Sequence, residues 1–198
     1  MKKYLLVAAL LLGVVAADAR DYKHSIGVNV GTLYGISYKG YVRESEHFVF
    51  QMDANVQLGF APKSHMFLYD DKGKSISDAS VNPFDFKAFY ANPNLMYQGN
   101  VGDWSWASMH WFIGGGIDLG MTWETYKALG VTDTEYGVKF SEHAIGGIEF
   151  DFKGAPLNLG VDFRPGLGQL IYFPEGTKTY TTTVFFDWGV AVALRYRI

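Results

Sequence analysis

Hydrophobic and polar side chains alternate with period two through most of this chain, and the apolar positions keep to one face of each run. The clearest run is Trp106 to Trp123. Its odd positions are Ala107, Met109, Trp111, Ile113, Gly115, Ile117, Leu119, Met121 and Trp123. Its even positions are Trp106, Ser108, His110, Phe112, Gly114, Gly116, Asp118 and Gly120. Successive side chains of a strand point to opposite sides, so the pattern predicts strands whose two faces meet different surroundings.

Eight such strands are expected: about His24–Gly31, Gly35–Val42, His47–Phe60, Phe84–Tyr97, Trp106–Trp123, Gly137–Phe152, Pro156–Leu170 and Thr181 to the end. Pro93 interrupts the fourth, and a proline inside a strand demands either an unpaired N–H position or a bulge. Thr32–Tyr34, Arg43–Glu46, Gly99–Asp103 and Lys153–Ala155 are expected to be short connections. Pro62–Asn82, with Asp70-Asp71-Lys72-Gly73 as its turn signal, Thr125–Tyr136 and Pro174–Thr179 are expected to be longer loops. Short and long connections alternate, apart from the short one after the first strand. That is the habit of outer-membrane barrels, which have short periplasmic turns and longer external loops. The fold class expected is all-β, an eight-stranded antiparallel up-and-down transmembrane β-barrel. A sheet that spans lipid must close on itself, because lipid offers unpaired backbone groups no partner.

The N-terminus supplies the export signal such a protein needs. Lys2 and Lys3 precede the apolar stretch Leu5–Val15, and Ala17-Asp18-Ala19 is an A-x-A cleavage site. The stretch of about 11 residues is shorter than the roughly 20 that a membrane helix needs. The domains expected are therefore a signal peptide over residues 1–19 and a barrel over 20–198, delivered to the cell outer membrane. Losing Lys2, Lys3 and Asp18 takes the formal charge from -3 to -4, a balance that gives no reason to expect nucleic acid. Cysteine is absent, which removes disulfides, thiolate metal sites and a lipid-carrying cysteine from consideration.

The polar face carries a charged set: Asp53, His110, Asp118, His143, Glu149, Asp162, Arg164, Asp187 and Arg195, joined by Lys39 and Arg197. An eight-stranded barrel is just wide enough for side chains to fill, so the set is expected to be a structural lumen network. Arg164 and Arg195 are its expected centres, since a guanidinium can bridge two carboxylates. Trp104, Trp106, Trp123, Phe150, Phe152 and Tyr196 sit near strand ends, where an interfacial aromatic girdle belongs.

Three stretches carry a family resemblance: Gly35-Ile36-Ser37-Tyr38-Lys39, Pro156 to Pro165, and Val192 to Ile198. With them the chain resembles small outer-membrane β-barrel proteins of Bacteroidetes-type bacteria, of the OmpA-like or OmpX-like kind. The resemblance implies contact with outer-membrane lipid and lipopolysaccharide, and with the barrel-assembly machinery during insertion. It implies no activity. Such proteins usually end in an aromatic residue; this chain ends in Ile198, with Tyr196 two residues earlier.

No catalytic, cofactor or metal residues are expected. Lipid-modifying enzymes on barrels of this type carry a His-x-Ser motif, whereas Ser108-Met109-His110 reverses the order. Ser141 and His143 share a face, but a Ser–His pair also needs mutual contact and an orienting group. Met66, Phe67, Leu68 and Tyr69 are read as a cap in the longest loop. The function expected is a non-enzymatic envelope protein acting structurally or through its loops. The rivals are a lipid-modifying acyl hydrolase or transferase and a secreted calycin-like binder of a small apolar ligand.

Overall fold

The computed structural model describes residues 23–42, 47–58, 64–69, 75–81, 86–128, 131–172 and 181–198. The expected export signal, the expected Arg43–Glu46 and Asp70–Gly73 turns and the expected Pro174–Thr179 loop lie outside them. Ten strands form one antiparallel sheet: β1 His24–Gly31, β2 Tyr34–Tyr41, β3 Phe48–Leu58, β4 Ser64–Tyr69, β5 Ser75–Val81, β6 Phe86–Asp103, β7 Ala107–Ala128, β8 Val131–Phe152, β9 Leu157–Tyr172 and β10 Thr181–Arg197. Eight of them pair in the order β1-β2-β3-β6-β7-β8-β9-β10, and β10 pairs back to β1, closing an up-and-down barrel.

The register fixes the barrel's shape. Stepping from partner to partner from Val28 passes Ile36, Ala54, Ala91, Leu119, Phe140 and Gln169 and arrives at Val184. On β10 the residue that faces Val28 is Leu194. The circuit is therefore staggered by ten residues. With a rise near 3.3 Å and strands about 4.8 Å apart, that stagger tilts the strands by roughly 40° and sets a backbone radius of about 8 Å. Such a radius is just wide enough for side chains to fill the interior.

The structure extends three of the expected elements and redefines a fourth. The region 62–82 holds β4 and β5 rather than a simple loop, and β4 pairs with the far end of β10 from Thr182↔Phe67 to Phe185↔Ser64. Met66–Tyr69 belong to β4. Residues 125–136 continue β7 and β8 to the pair Ala128↔Val131. These stretches lack alternating hydrophobicity in the sequence, and their pairing is carried by the backbone ladder. Gly99–Asp103 continues β6 across a register shift at Asn100/Gly102, so the turn falls at Trp104–Trp106. At Pro93 the pairing with β7 lapses over Asn92 and Pro93, while the register on either side stays the same and the partner Met52 on β3 is kept. A missing N–H, rather than a bulge, is how this strand accommodates its proline. Asn94 Nδ2 donates to the Asn92 carbonyl at 2.9 Å and makes good part of the loss.

The described turns after β6 and β8, together with His24 and Ile198, lie at one end, here the near end; Ile198 N donates to the His24 carbonyl at 2.8 Å. Most large apolar side chains of the barrel strands point outward, and most charged ones point inward. Ile113, Met121 and Leu167 are 60%, 61% and 64% exposed, whereas Asp53, Asn55 and Glu149 on the inner face are 0% exposed. From Trp111 to Met121 is ten residues of β7, which at this tilt is about 25 Å of axial height. Glu142, outward and exposed between Phe140 and Ala144, departs from the pattern.

Candidate functional site

The candidate site is the lumen, because that is where the chain concentrates its buried chemistry. Strand parity puts it there. Each inner residue is followed by an outer one, so β3 turns Gln51, Asp53 and Asn55 inward and β8 turns Lys139, Ser141, His143, Glu149 and Asp151 inward. Among the buried lysines, arginines and carboxylates described, Lys39, Lys139, Arg164, Arg195 and Arg197 stand against Asp53, Asp118, Glu149, Asp151 and Asp162.

Toward the near end, Glu149 is the hub. Lys39 Nζ reaches its two oxygens at 2.6 and 2.7 Å and also donates to Gln98 Oε1 at 2.9 Å. Arg195 Nη1 lies 3.3 Å from Glu149 Oε2, while its Nε donates to Ser37 Oγ at 2.8 Å. Asn158 accepts from Arg195 at 3.4 Å and donates to Asp151 at 2.7 Å. His110 Nε2 stands 3.3 Å from Asp151, and Arg197 donates to the carbonyl oxygens of Ala155, at 2.7 Å, and Phe152. Below this layer, at the exposed end of β6, Asp103 accepts from Ser108 at 2.5 Å and Asn100 at 3.1 Å; these donors hold its carboxyl below the usual carboxylate range.

In mid-lumen Arg164 takes two carboxylates. Its Nε and Nη2 donate to Asp162 at 2.6 and 3.0 Å, and its Nη1 stands 2.7 Å from Asp53 Oδ2. Gln51 donates to Asp53 at 2.8 Å, and Ser37 also bonds it. A third group gathers on Asp118, which accepts from Asn92 and, at 2.6 Å, from Ser141 Oγ. His143 Nδ1 is 3.0 Å from Asp118 Oδ1, and His143 Nε2 is 2.6 Å from Asn94 Oδ1. The Asn92 carbonyl engages Asn94 Nδ2 and so holds Asn94 Oδ1 toward the ring. The His143 ring is thus held between two oxygens, Asp118 Oδ1 on one side and Asn94 Oδ1 on the other.

Two apolar clusters complete the filling. Val49, Met96, Phe112 and Ile145 pack beside the Glu149 layer. The Phe112 ring occupies space that a side chain at Gly147 would need, its Cζ lying 2.6 Å from where a Cβ would sit. Toward the far end Leu33, from the β1–β2 turn, packs on Ala88, Tyr90, Leu170 and Tyr172. Lys139 Nζ lies 4.1 Å from the Tyr90 ring centroid.

Of the residues singled out from the sequence, Asp53, Asp118, His143, Glu149, Asp162, Arg164 and Arg195 are buried on the inner face, and His110 is half-buried there. Asp187 belongs to β10, but its side chain lies outside the described residues. Lys139 and Asp151 were missed. Both share strand parity with His143 and Glu149, and that signal was available. The uncharged partners Gln51, Asn55, Asn92, Asn94, Gln98 and Asn158 were missed because amides are equally at home on a wet surface. Trp104 and Trp106 are exposed at the near end, and Trp106 stacks on Phe150 with centroids 6.1 Å apart and also meets Phe152 at 6.1 Å. Trp123 faces outward near the far end, and Tyr196 is half-buried at the near end.

Ser141 and His143 are both brought to Asp118, so the serine hydroxyl donates to that carboxylate. No protein-family model, curated protein or solved structure matches the chain at a significant level. Fold and lumen together define a closed eight-stranded β-barrel whose interior is a packed polar network.

Proposed function

We propose that this protein is an integral outer-membrane barrel of the small OmpA-like or OmpX-like kind, acting as a structural element of the envelope or through its external loops. The observation that carries the reading is the inversion of the barrel. Its outer surface is a continuous belt of exposed Val, Ile, Leu, Phe and Trp, while charged groups fill the interior. Soluble proteins seldom expose apolar patches larger than a few hundred Å². The belt's axial height of about 25 Å fits the hydrocarbon thickness that barrels of this class span. The export signal Lys2–Ala19 supports the same location. The far-end extensions, β4 with β5 and the tips of β7 and β8, are then the parts available to lipopolysaccharide or to a loop partner.

A calycin-like binder would keep an apolar pocket inside, whereas among the described residues the interior carries five buried carboxylates against five lysines and arginines. A lipid-modifying enzyme would place its nucleophile toward the lipid, whereas Ser141 points inward. The test is conductance in planar bilayers together with lipid mass profiles of a deletion strain. The reading predicts no large open channel and unchanged lipid A and phospholipid masses. A sustained porin-sized conductance, or a shifted acyl mass, contradicts it.

A further inference from the structure

Two of the three polar clusters, those on Arg164 and on Asp118, flank a cavity of about 20 Å³. Its lining includes Arg164, Asp118, Ser141 and His143, with Gly166 on β9 and Gly189 on β10. The two glycines keep it open: a Cβ at Gly166 would sit 2.9 Å from His143 Cβ, and one at Gly189 would sit 3.4 Å from Leu33 Cδ1. A buried water needs about 10–15 Å³ of such space and two to four polar partners.

We propose that this cavity binds one water molecule, which joins the Arg164 and Asp118 clusters into a single hydrogen-bonded column through the barrel. The lining offers both a donor and an acceptor. Arg164 is 4% exposed, and its Nη1, though close to Asp53, has no well-directed hydrogen-bond acceptor. Ser141 spends its proton on Asp118, which leaves its oxygen able to accept. A water can accept from the first and donate to the second. A halide would meet the Asp118 carboxylate, and a metal cation would meet the Arg164 guanidinium. The site's chemistry is therefore that of a neutral, water-sized donor and acceptor.

The experiment is crystallography of the full chain in two salts, sodium bromide and rubidium chloride, with anomalous data collected at the bromine and rubidium edges. The expected result is one density peak in both crystals, about 3 Å from Ser141 Oγ and from the Arg164 guanidinium, without anomalous signal. An anomalous peak at the site in either crystal overturns the proposal in favour of an ion, and a cavity without density overturns it outright. A second measurement works on protein in micelles and needs no crystal. The amides of Gly166 and Gly189 should show cross-relaxation with a long-lived water in the wild type and lose it in Ser141→Ala. Cross-relaxation that is absent from the wild type, or unchanged in the variant, rejects the site.

Discussion

Arg164 and Asp53 meet across the full width of the barrel. β9 and β3 lie four strands apart in either direction round the ring, and the guanidinium on one stands 2.7 Å from the carboxylate on the other. Lys39 on β2 and Glu149 on β8 are likewise opposite, joined at 2.6 Å. A barrel wall is tied only to its neighbours by the ladder. These two pairs tie opposite walls to each other, and they do so in a medium where an unpaired charge is costly.

Removing one end of such a strut strands the other. Arg164→Met should leave Asp53 and Asp162 buried without a cation and cost about 3–5 kcal/mol. Arg164→Lys should restore only part of this, because an ammonium cannot present a fork to Asp162 while reaching Asp53. Urea unfolding in detergent micelles, followed by far-UV circular dichroism, measures both. Equal stability of Arg164→Met and the wild type would show that the strut is idle.

The Glu149 hub calls for a double-mutant cycle. Glu149→Gln alone leaves Lys39 and Arg195 facing each other, whereas Lys39→Met combined with Glu149→Gln removes one of the two cations. The double variant should be less destabilised than the sum of the singles, with a coupling of about 1–3 kcal/mol. Additive losses in the same unfolding assay would mean that the 2.6 Å contact contributes nothing of its own.

The barrel itself was legible in the sequence because one physical fact, unlike surroundings on the two faces, is written at every second residue. β1, β2, β3, β9 and β10 fall within a few residues of their expected bounds for that reason. β4, β5 and the tips of β7 and β8 were not legible. Thr125–Glu135, for example, alternates in neither direction, and its strands exist because the hairpin ladder continues past the belt. In the lumen, strand parity identified Asp53, Glu149 and Arg164 as inner residues, but partner choice depends on register. Nothing short of the ten-residue stagger places Lys39 opposite Glu149.

The outer face makes a separate prediction. Val192 lies outward in the middle of the belt on β10. Val192→Arg should cost about 2–4 kcal/mol in a bilayer, the range for arginine at the midplane of a membrane barrel. Folding into phosphatidylcholine vesicles reads this out. A barrel meant for water would tolerate the arginine without loss.

Glu142 predicts the opposite sign. An exposed carboxylate between Phe140 and Ala144, paired in register with Leu167, is a mismatch on a lipid-facing surface. Glu142→Leu should raise stability in vesicles while leaving the lumen unchanged, by an amount smaller than the arginine penalty. A decrease on vesicle folding would show that the carboxylate has a partner in the membrane.

A packed barrel with an apolar exterior is proposed to reside in the outer membrane. The direct measurement is fractionation of cells making the full chain, followed by denaturing gel electrophoresis of each fraction with and without boiling. The account predicts protein in the outer-membrane fraction, shortened at its N-terminus to begin at Arg20, that migrates differently before and after heating because the unheated barrel stays folded. Protein recovered in the soluble periplasmic or secreted fraction, without a heat-dependent shift, would contradict it.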